Sequence, residues 1–315
     1  MLRIACTTIA KNEVGNLSRF ASATAGLADL YVLLDTGSTD GTPELAAKLG
    51  FVVYQYPWKN DGAAARNAAV EAAGDCAWVC VFDCDEVLHD AQALRLALEA
   101  APDSADAVSV NYETGSGHKF CRPTILRPGR AEWKYRAHTQ LIYQSCHHVD
   151  VLLEHPGPIG RRRGTDKAAY LEALRLDAEE NPENPHRRYY YGRELSYAND
   201  PAAVSVLAEA AALSRWPEEA GMAMVYAGRV ANARKAPALA LWCFRQGAAR
   251  CPGLRDPWCE VSRWTPDKTE RRYAARRAMK IKEQRFFDCD PRLYNEAANE
   301  WLRRRAHRTT DLQPA

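Results

Sequence analysis

The sequence predicts an α/β domain built on a mostly parallel sheet, followed by an all-α domain of repeated helices. Three observations predict it. The first 90 residues alternate apolar strands with helical stretches. Strand patterns rich in β-branched residues stop near Gly164, and Ala, Leu, Glu and Arg dominate beyond it. The fourth apolar run, Val79-Cys80-Val81-Phe82, ends in Asp83-Cys84-Asp85-Glu86. Strands and helices alternating at this length pack as a parallel sheet with crossover helices.

Leu2 to Ile9 reads as the first strand, followed by Lys11-Asn12-Glu13 and a helical stretch to Gly26. Leu30 to Leu34 is the second strand and runs into Asp35-Thr36-Gly37-Ser38-Thr39-Asp40-Gly41-Thr42. That segment is a strand end, a glycine turn and a helix start, with Thr39 or Asp40 as the expected N-cap of a helix running to Gly50. Phe51 to Tyr56 is the third strand. Asn60-Asp61 caps an Ala-rich helix that carries Arg66 and Asn67 and stops at Gly74. The fourth strand projects its carboxylates from the C-terminal edge of the sheet, where open α/β folds bind ligands. From there Asp83 and Asp85 can share one divalent cation whose shell is completed by diphosphate oxygens. A solitary D-x-D is also what a solvated acidic turn looks like, so the reading leans on the neighbouring motifs.

Those motifs are Lys11-Asn12-Glu13 after the first strand, Asp35 to Thr42 after the second, Ala65-Arg66-Asn67 on the third helix and Asp83 to Glu86 after the fourth strand. In order and wording they resemble the family 2 glycosyltransferases of the GT-A fold, in particular a bacterial branch that often carries a helical-repeat extension and includes enzymes that glycosylate peptides. The likeness is full over residues 1 to 90 and looser to about residue 160. It implies that Asp35 accepts a hydrogen bond from the nucleotide base, with Ser38 beside it. It implies that Arg66 lies against base and diphosphate, that Asp83 holds ribose or metal, that Asp85 is the direct metal ligand, and that Ile9 and Glu13 touch the nucleotide from the first loop. Read without the family, Asp35 and Ser38 are ordinary turn formers and Arg66 a solvated helix residue.

Further along, Asp106 to Tyr112, Thr124 to Arg127 and Thr139 to Tyr143 are strand candidates. Gly115-Ser116-Gly117 is either a loop near the donor sugar or an ordinary hairpin turn. Trp133 to Thr139 is similar to a family segment that ends in His followed by an acid. Here His138 is kept and Thr139 stands in the acid's place, so the base that deprotonates the acceptor is open among His138, Asp150 and Glu154. An imidazole titrating near neutrality suits the task. His155 matches a histidine that the family uses as a further metal ligand, and imidazole joins carboxylates on Mn²⁺-like ions.

Past Gly164, helical patterns cover 165–181, 186–198, 201–214, 217–233, 236–250 and 268–286, separated by proline-containing turns. Tyr191-Gly192-Arg193 and Ala227-Gly228-Arg229 repeat 36 residues apart, each expected to open a pair of helices. A period of about 34 points to tetratricopeptide-like hairpins, whose stacks offer a concave face to an extended ligand; a plain helical bundle is the alternative. The domains expected are 1–160, catalytic; 161–305, helical; and a flexible tail, 306–315.

Residues 1–150 hold 13 Lys+Arg against 18 Asp+Glu, and residues 151–315 hold 29 against 22, which yields the overall +2. The basic half suits an anionic or extended acceptor: a peptide, a glycan or a nucleic acid. No apolar run approaches the ~20 residues a membrane helix needs. The first strand begins at once, so no cleaved leader is expected. The ten cysteines fit neither a metal pair nor a secreted disulfide frame, and are expected as buried thiols in a reducing, cytoplasmic setting.

Together these features point to transfer of a sugar from a nucleoside-diphosphate sugar, UDP-linked by preference, to a hydroxyl or thiol. Mn²⁺ or Mg²⁺ is the expected ion, and inversion the expected stereochemistry. The alternatives are a nucleotidyltransferase, or an inactive scaffold that binds through its helices. Oligomeric state is not encoded in these patterns.

Overall fold

The computed structural model describes residues 2–115, 117–156, 166–282 and 289–307. The chain divides into two compact units, Met1–Ala173 and Leu174–Ala315. The boundary falls inside a helix; the position expected from sequence, 160/161, lies outside the described residues.

The elements of the first unit are β1 (Ile4–Ala10), α1 (Val14–Ala23), β2 (Leu30–Asp35), α2 (Thr42–Lys48), β3 (Val52–Gln55), α3 (Gly62–Ala72), β4 (Trp78–Val81), β5 (Val87–Leu88), α4 (Ala91–Glu99), β6 (Ala107–Thr114), β7 (Lys119–Leu126), β8 (Glu132–Lys134), β9 (Gln140–Ile142) and β10 (Cys146–His155). Eight strands form one sheet in the order β3-β2-β1-β4-β7-β6-β10-β5, and β8 pairs with β9 separately. β1 to β4 are mutually parallel, β7 joins β4 antiparallel, and β6 pairs antiparallel with β7 and parallel with β10. The central strands bury both faces. Ile4, Ala5, Cys6, Val79, Cys80 and Val81 are inaccessible to solvent, as expected for parallel strands covered by helices on each side.

Helix starts follow the capping residues. Asp61 accepts the Ala64 amide at the head of α3, as anticipated, and Asp90 does the same for Ala93 in α4. At α2 the flanking residue is Gly41, with φ at 85°, not Thr39 or Asp40. Asp40 nevertheless accepts the Thr42 N–H at 3.1 Å, so it caps from one position further out. Ser116 of the Gly-Ser-Gly segment lies outside the described residues; beside it, the Gly117 amide donates to the Thr114 carbonyl at 2.7 Å. β10 was not foreseen as a strand.

The remaining helices are α5 (Lys167–Glu180), α6 (Pro185–Tyr197), α7 (Ala202–Leu213), α8 (Pro217–Ala233), α9 (Pro237–Arg250), α10 (Arg255–Trp264), α11 (Lys268–Lys280) and α12 (Glu296–His307). The unit boundary lies in α5. The helix expected over 268–286 stops at Lys280, where Ile281 turns extended, and α10 and α12 were not foreseen. Pro257 reads as a breaker, yet it occupies the first turn of α10, where a missing N–H costs nothing. α12 runs to His307, past the start of the expected tail, whose residues from 308 lie outside the described set.

The Tyr-Gly-Arg and Ala-Gly-Arg repeats sit in α6 and α8, and each glycine lies where the next helix comes closest. A Cβ on Gly192 would stand 2.7 Å from Leu207 Cγ on α7, and one on Gly228 2.6 Å from Phe244 Cδ1 on α9. Both helices give up about 1 kcal/mol of propensity at these positions to pack tightly.

All ten cysteines are free thiols, and Cys121 and Cys146 are the exposed ones. Among the described residues no helix is long and apolar enough to cross a membrane.

Candidate active site

The loops after β1 and β2 are laced together by side chains of the motifs themselves. The Asn12 amide, on a residue with φ of 59°, donates to Ser38 Oγ at 2.8 Å, and Asn12 Oδ1 accepts the Thr39 amide at 2.7 Å. The Glu13 amide donates to Thr42 Oγ1 at 2.9 Å, and the Val14 amide to Asp40 Oδ2 at 3.2 Å. Asp35, 1% exposed at the end of β2, accepts the amides of Gly37 at 3.3 Å and Ser38 at 3.2 Å. The Lys-Asn-Glu and Asp-Thr-Gly-Ser-Thr-Asp-Gly-Thr motifs thus fix each other's backbones. Ile9 is half-buried on β1, one residue before Ala10, which pairs with Asp35. Glu13 Oε2 accepts Asn16 Nδ2 at 2.7 Å.

At the end of β4, Arg66 of α3 reaches Asp83: Nη2 donates to Oδ1 at 2.8 Å. Its Nε donates to Thr139 Oγ1 at 3.1 Å, and its guanidinium carbon lies 5.1 Å from the centre of the Trp133 ring. Nη1 of Arg66 is buried with no hydrogen-bond partner among the described residues. A buried guanidinium N–H without an acceptor carries a desolvation cost that an anionic ligand would remove.

Arg122 of β7 stands 3.6 Å from Asp83 and is ion-paired with Glu86, which is 1% exposed. Glu86 also accepts the Tyr112 hydroxyl at 2.9 Å and the Asp83 amide at 2.9 Å. Burial opposes ionisation of Asp83, but the Arg66 and Arg122 guanidiniums outweigh it and hold the carboxyl at about 2. Burial dominates at Glu86 and raises its pKa despite Arg122.

Asp85 turns elsewhere. Its Oδ2 lies 3.0 Å from His155 Nε2. The register explains the meeting. Glu154 of β10 pairs with Val87 of β5, and β5 begins two residues after Asp85. Arg19 of α1 donates to the Asp85 carbonyl at 3.1 Å. The structure therefore joins Arg66 to Asp83 and Asp85 to His155. Among the described residues no three His, Cys, Asp or Glu side chains form one metal-holding group. A carboxylate and an imidazole in contact do fit a divalent cation that takes its other ligands from diphosphate and water; Asp83 is committed to two arginines.

The three base candidates occupy separate places. His138, with φ of 47°, lies in the β8–β9 connection and shares a 2.9 Å hydrogen bond with the Tyr170 hydroxyl. Asp150 on β10 accepts Asn111 Nδ2 at 2.6 Å. Glu154 pairs with His89 at 2.7 Å and, by strand alternation, faces away from His155.

Asn67, named in the Ala-Arg-Asn motif without a role, clasps the Trp133 backbone, donating to its carbonyl and accepting its amide, both at 2.9 Å. Other residues of the site were not foreseen. The Gly62 amide donates to the Arg136 carbonyl at 2.8 Å, and a Cβ there would stand 2.9 Å from Thr139 Cγ2. Arg122 and Arg19 left no sequence signal beyond a charge within an apolar strand and one on a helix face.

A mostly parallel sheet with an arginine–carboxylate cluster at its C-terminal edge, followed by helices, is the GT-A class of fold. Residues 9–164 match the family model described as Glycosyl transferase family 2. A TPR repeat-containing protein of Synechococcus elongatus is 33% identical over 150 residues, 46% of this chain and 36% of that protein. The chain thus spans about a third of that relative's length. Among solved structures, S. aureus TarS 1–349 in complex with UDP-GlcNAc is similar at a TM-score of 0.49 and 12% identity, over 79% of this chain and 92% of that one. A mycobacterial protein is similar at a TM-score of 0.31 and 20% identity, over 36% and 42%.

Proposed function

We propose that the protein transfers a sugar from a nucleoside-diphosphate sugar, UDP-linked by preference, to an acceptor hydroxyl or thiol with inversion at the anomeric carbon. The observation that carries this reading is Arg66, held by Asp83 and Thr139 with a buried N–H that has no partner among the described residues. That N–H is spent on the diphosphate. The loop fixed by Asp35 and Ser38 receives the base, with Ile9 and Glu13 beside it. A divalent cation, Mn²⁺ or Mg²⁺, held by Asp85 and His155 supplies Lewis-acid stabilisation of charge developing on the leaving diphosphate. Asp83, kept ionised by its two arginines, holds Arg66 in place and faces the ribose.

The acceptor loses its proton to His138 in this reading. Thr139, bonded to Arg66, fixes the connection that carries His138, whereas Asp150 lies five residues from His155, about 16 Å along an extended strand. The bond that forms is acceptor oxygen or sulfur to anomeric carbon, and the bond that breaks joins that carbon to the diphosphate. The paired helices with close-approach glycines at Gly192 and Gly228 are a tetratricopeptide-like array that receives an extended acceptor: a peptide first, with glycan and nucleic acid as alternatives. The setting is cytoplasmic.

Thermal shift with nucleoside diphosphates and UDP-sugars, with and without Mn²⁺, tests the reading. A ligand at a hundredfold excess over Kd stabilises by about 2.7 kcal/mol. Mn²⁺-dependent stabilisation that disappears in Arg66→Ala supports it; no response to any nucleotide removes it.

A further inference from the structure

The helical unit holds a basic cavity of its own. Between α10, α11 and α12 there is a cavity of about 370 Å³ whose lining includes Arg255, Lys282, Tyr294, Glu296, Asn299 and Arg303. That volume is within the range of small-molecule sites, roughly 300–1,000 Å³. Three of these side chains are cationic and one is anionic. The one carboxylate, Glu296, is already engaged by Arg303 at 2.8 Å.

Arg255 makes this more than a basic surface. It is 1% exposed. Among the described residues its hydrogen-bond partners are neutral: the Ile281 carbonyl at 3.3 Å, the Asn299 side-chain oxygen at 2.6 Å and the Cys259 thiol. Its Nε is buried with no partner among the described residues. Asp256, next in sequence, spends its carboxylate on the Asp290 amide at 2.8 Å and the Tyr294 hydroxyl at 3.1 Å. The guanidinium carbon stands 5.4 Å from the centre of the Tyr294 ring, which steadies the charge without neutralising it. Arg193, also buried in this unit, does lie beside a carboxylate, 3.4 Å from Glu194. A buried guanidinium lacking a carboxylate is costly to keep, and its planar donors match an oxyanion.

We infer that this cavity binds the phosphate group of a small phosphorylated molecule, with Arg255 as the anchor and Lys282 and Arg303 completing the charge. A bare phosphate leaves much of the volume unfilled, so an organic body attached to it gains further contact with Tyr294 and Asn299.

The test is calorimetric titration of the full chain with inorganic phosphate, with glucose 6-phosphate and with glucose as the neutral control, at low salt. Arg66→Ala serves as the background, so that phosphate binding at the sheet edge does not contribute. Binding of both phosphate probes and none of glucose is expected. The Lys282→Gln/Arg303→Gln double variant, altered only at the rim, should weaken it by about tenfold or more, the worth of a lost charge-assisted hydrogen bond. Arg255→Lys should weaken it at least as much while circular dichroism remains native. If Arg255→Lys does not fold, the rim variant decides. Equal affinity for the two phosphate probes identifies free phosphate as the ligand; tighter hexose phosphate identifies the phosphorylated molecule. No heat from either probe, or unchanged affinity in the rim variant, overturns the site.

Discussion

In the first unit, the side chains of Asn12, Ser38, Asp40 and Thr42 are spent on backbone amides of the facing loop. In the second unit the recurring tripeptide matters for a side chain it lacks, because Gly192 and Gly228 let neighbouring helices touch. One unit fixes loops by hydrogen bonds at a sheet edge; the other fixes helices by shape. Damage should therefore separate. Changes at the sheet edge should act on ligand and rate, and changes at the helical glycines on stability.

Asp85→Ala should have the largest effect. Mn²⁺-dependent release of nucleoside diphosphate should fall on the order of 10²–10³-fold or more, the scale of removing electrostatic support for a transition state, while the melting temperature stays close to that of the parent. A folded Asp85→Ala protein with full turnover would break the comparison. Arg66→Ala should come next, weakening nucleoside diphosphate by roughly 1.5–3 kcal/mol in calorimetry, the worth of hydrogen bonds to a charged group.

Gly228→Ala sharpens the contrast from the other side. The new methyl meets Phe244, and overpacking costs about 1–3 kcal/mol, partly offset by roughly 0.5–1 kcal/mol of helix propensity. Urea unfolding should show net destabilisation, relieved by Phe244→Leu, with nucleotide affinity unchanged. Asp40→Ala should cost about 1 kcal/mol through the lost cap, and should lower nucleotide affinity less than Arg66→Ala does.

The smallest effect is a pH dependence. Asp83 titrates at about 2 in the folded protein, below the ~3.9 of an unfolded chain. Its contribution is therefore present above about pH 4 and is lost as pH falls through about 2. The side chain is 36% exposed, so solvent screens part of it. Stability of Asp83→Asn measured across that window should fall less steeply than that of the parent; parallel curves would show that Arg66 and Arg122 do not stabilise the charge.

Strands β1, β2 and β4 were legible because each is a continuous apolar run ending in a motif. Asp61, at the head of α3, was legible as a cap for the same local reason. What escaped depends on partners far apart in sequence. β10 alternates weakly and carries His147, His148 and Asp150, so nothing local marks it as a strand, although it delivers His155 to Asp85. Arg122 lies 36 residues from Glu86, and only the β4–β7 pairing brings them together. α10 was hidden by Pro257, whose meaning changes with its place in the turn. The position of His155 was reachable only by family likeness, and Thr139 was noticed for the acid it lacks. The structure shows instead what it has, a hydroxyl that accepts from Arg66.

The bare Cα of Gly62 sets a limit on how this domain can diversify. With Arg136 and Thr139 pressed against it and Asn67 gripping Trp133, the β8–β9 ribbon and the start of α3 are locked into one packing unit. A ribbon of different length or sequence could be exchanged into this scaffold only together with residues 62–67.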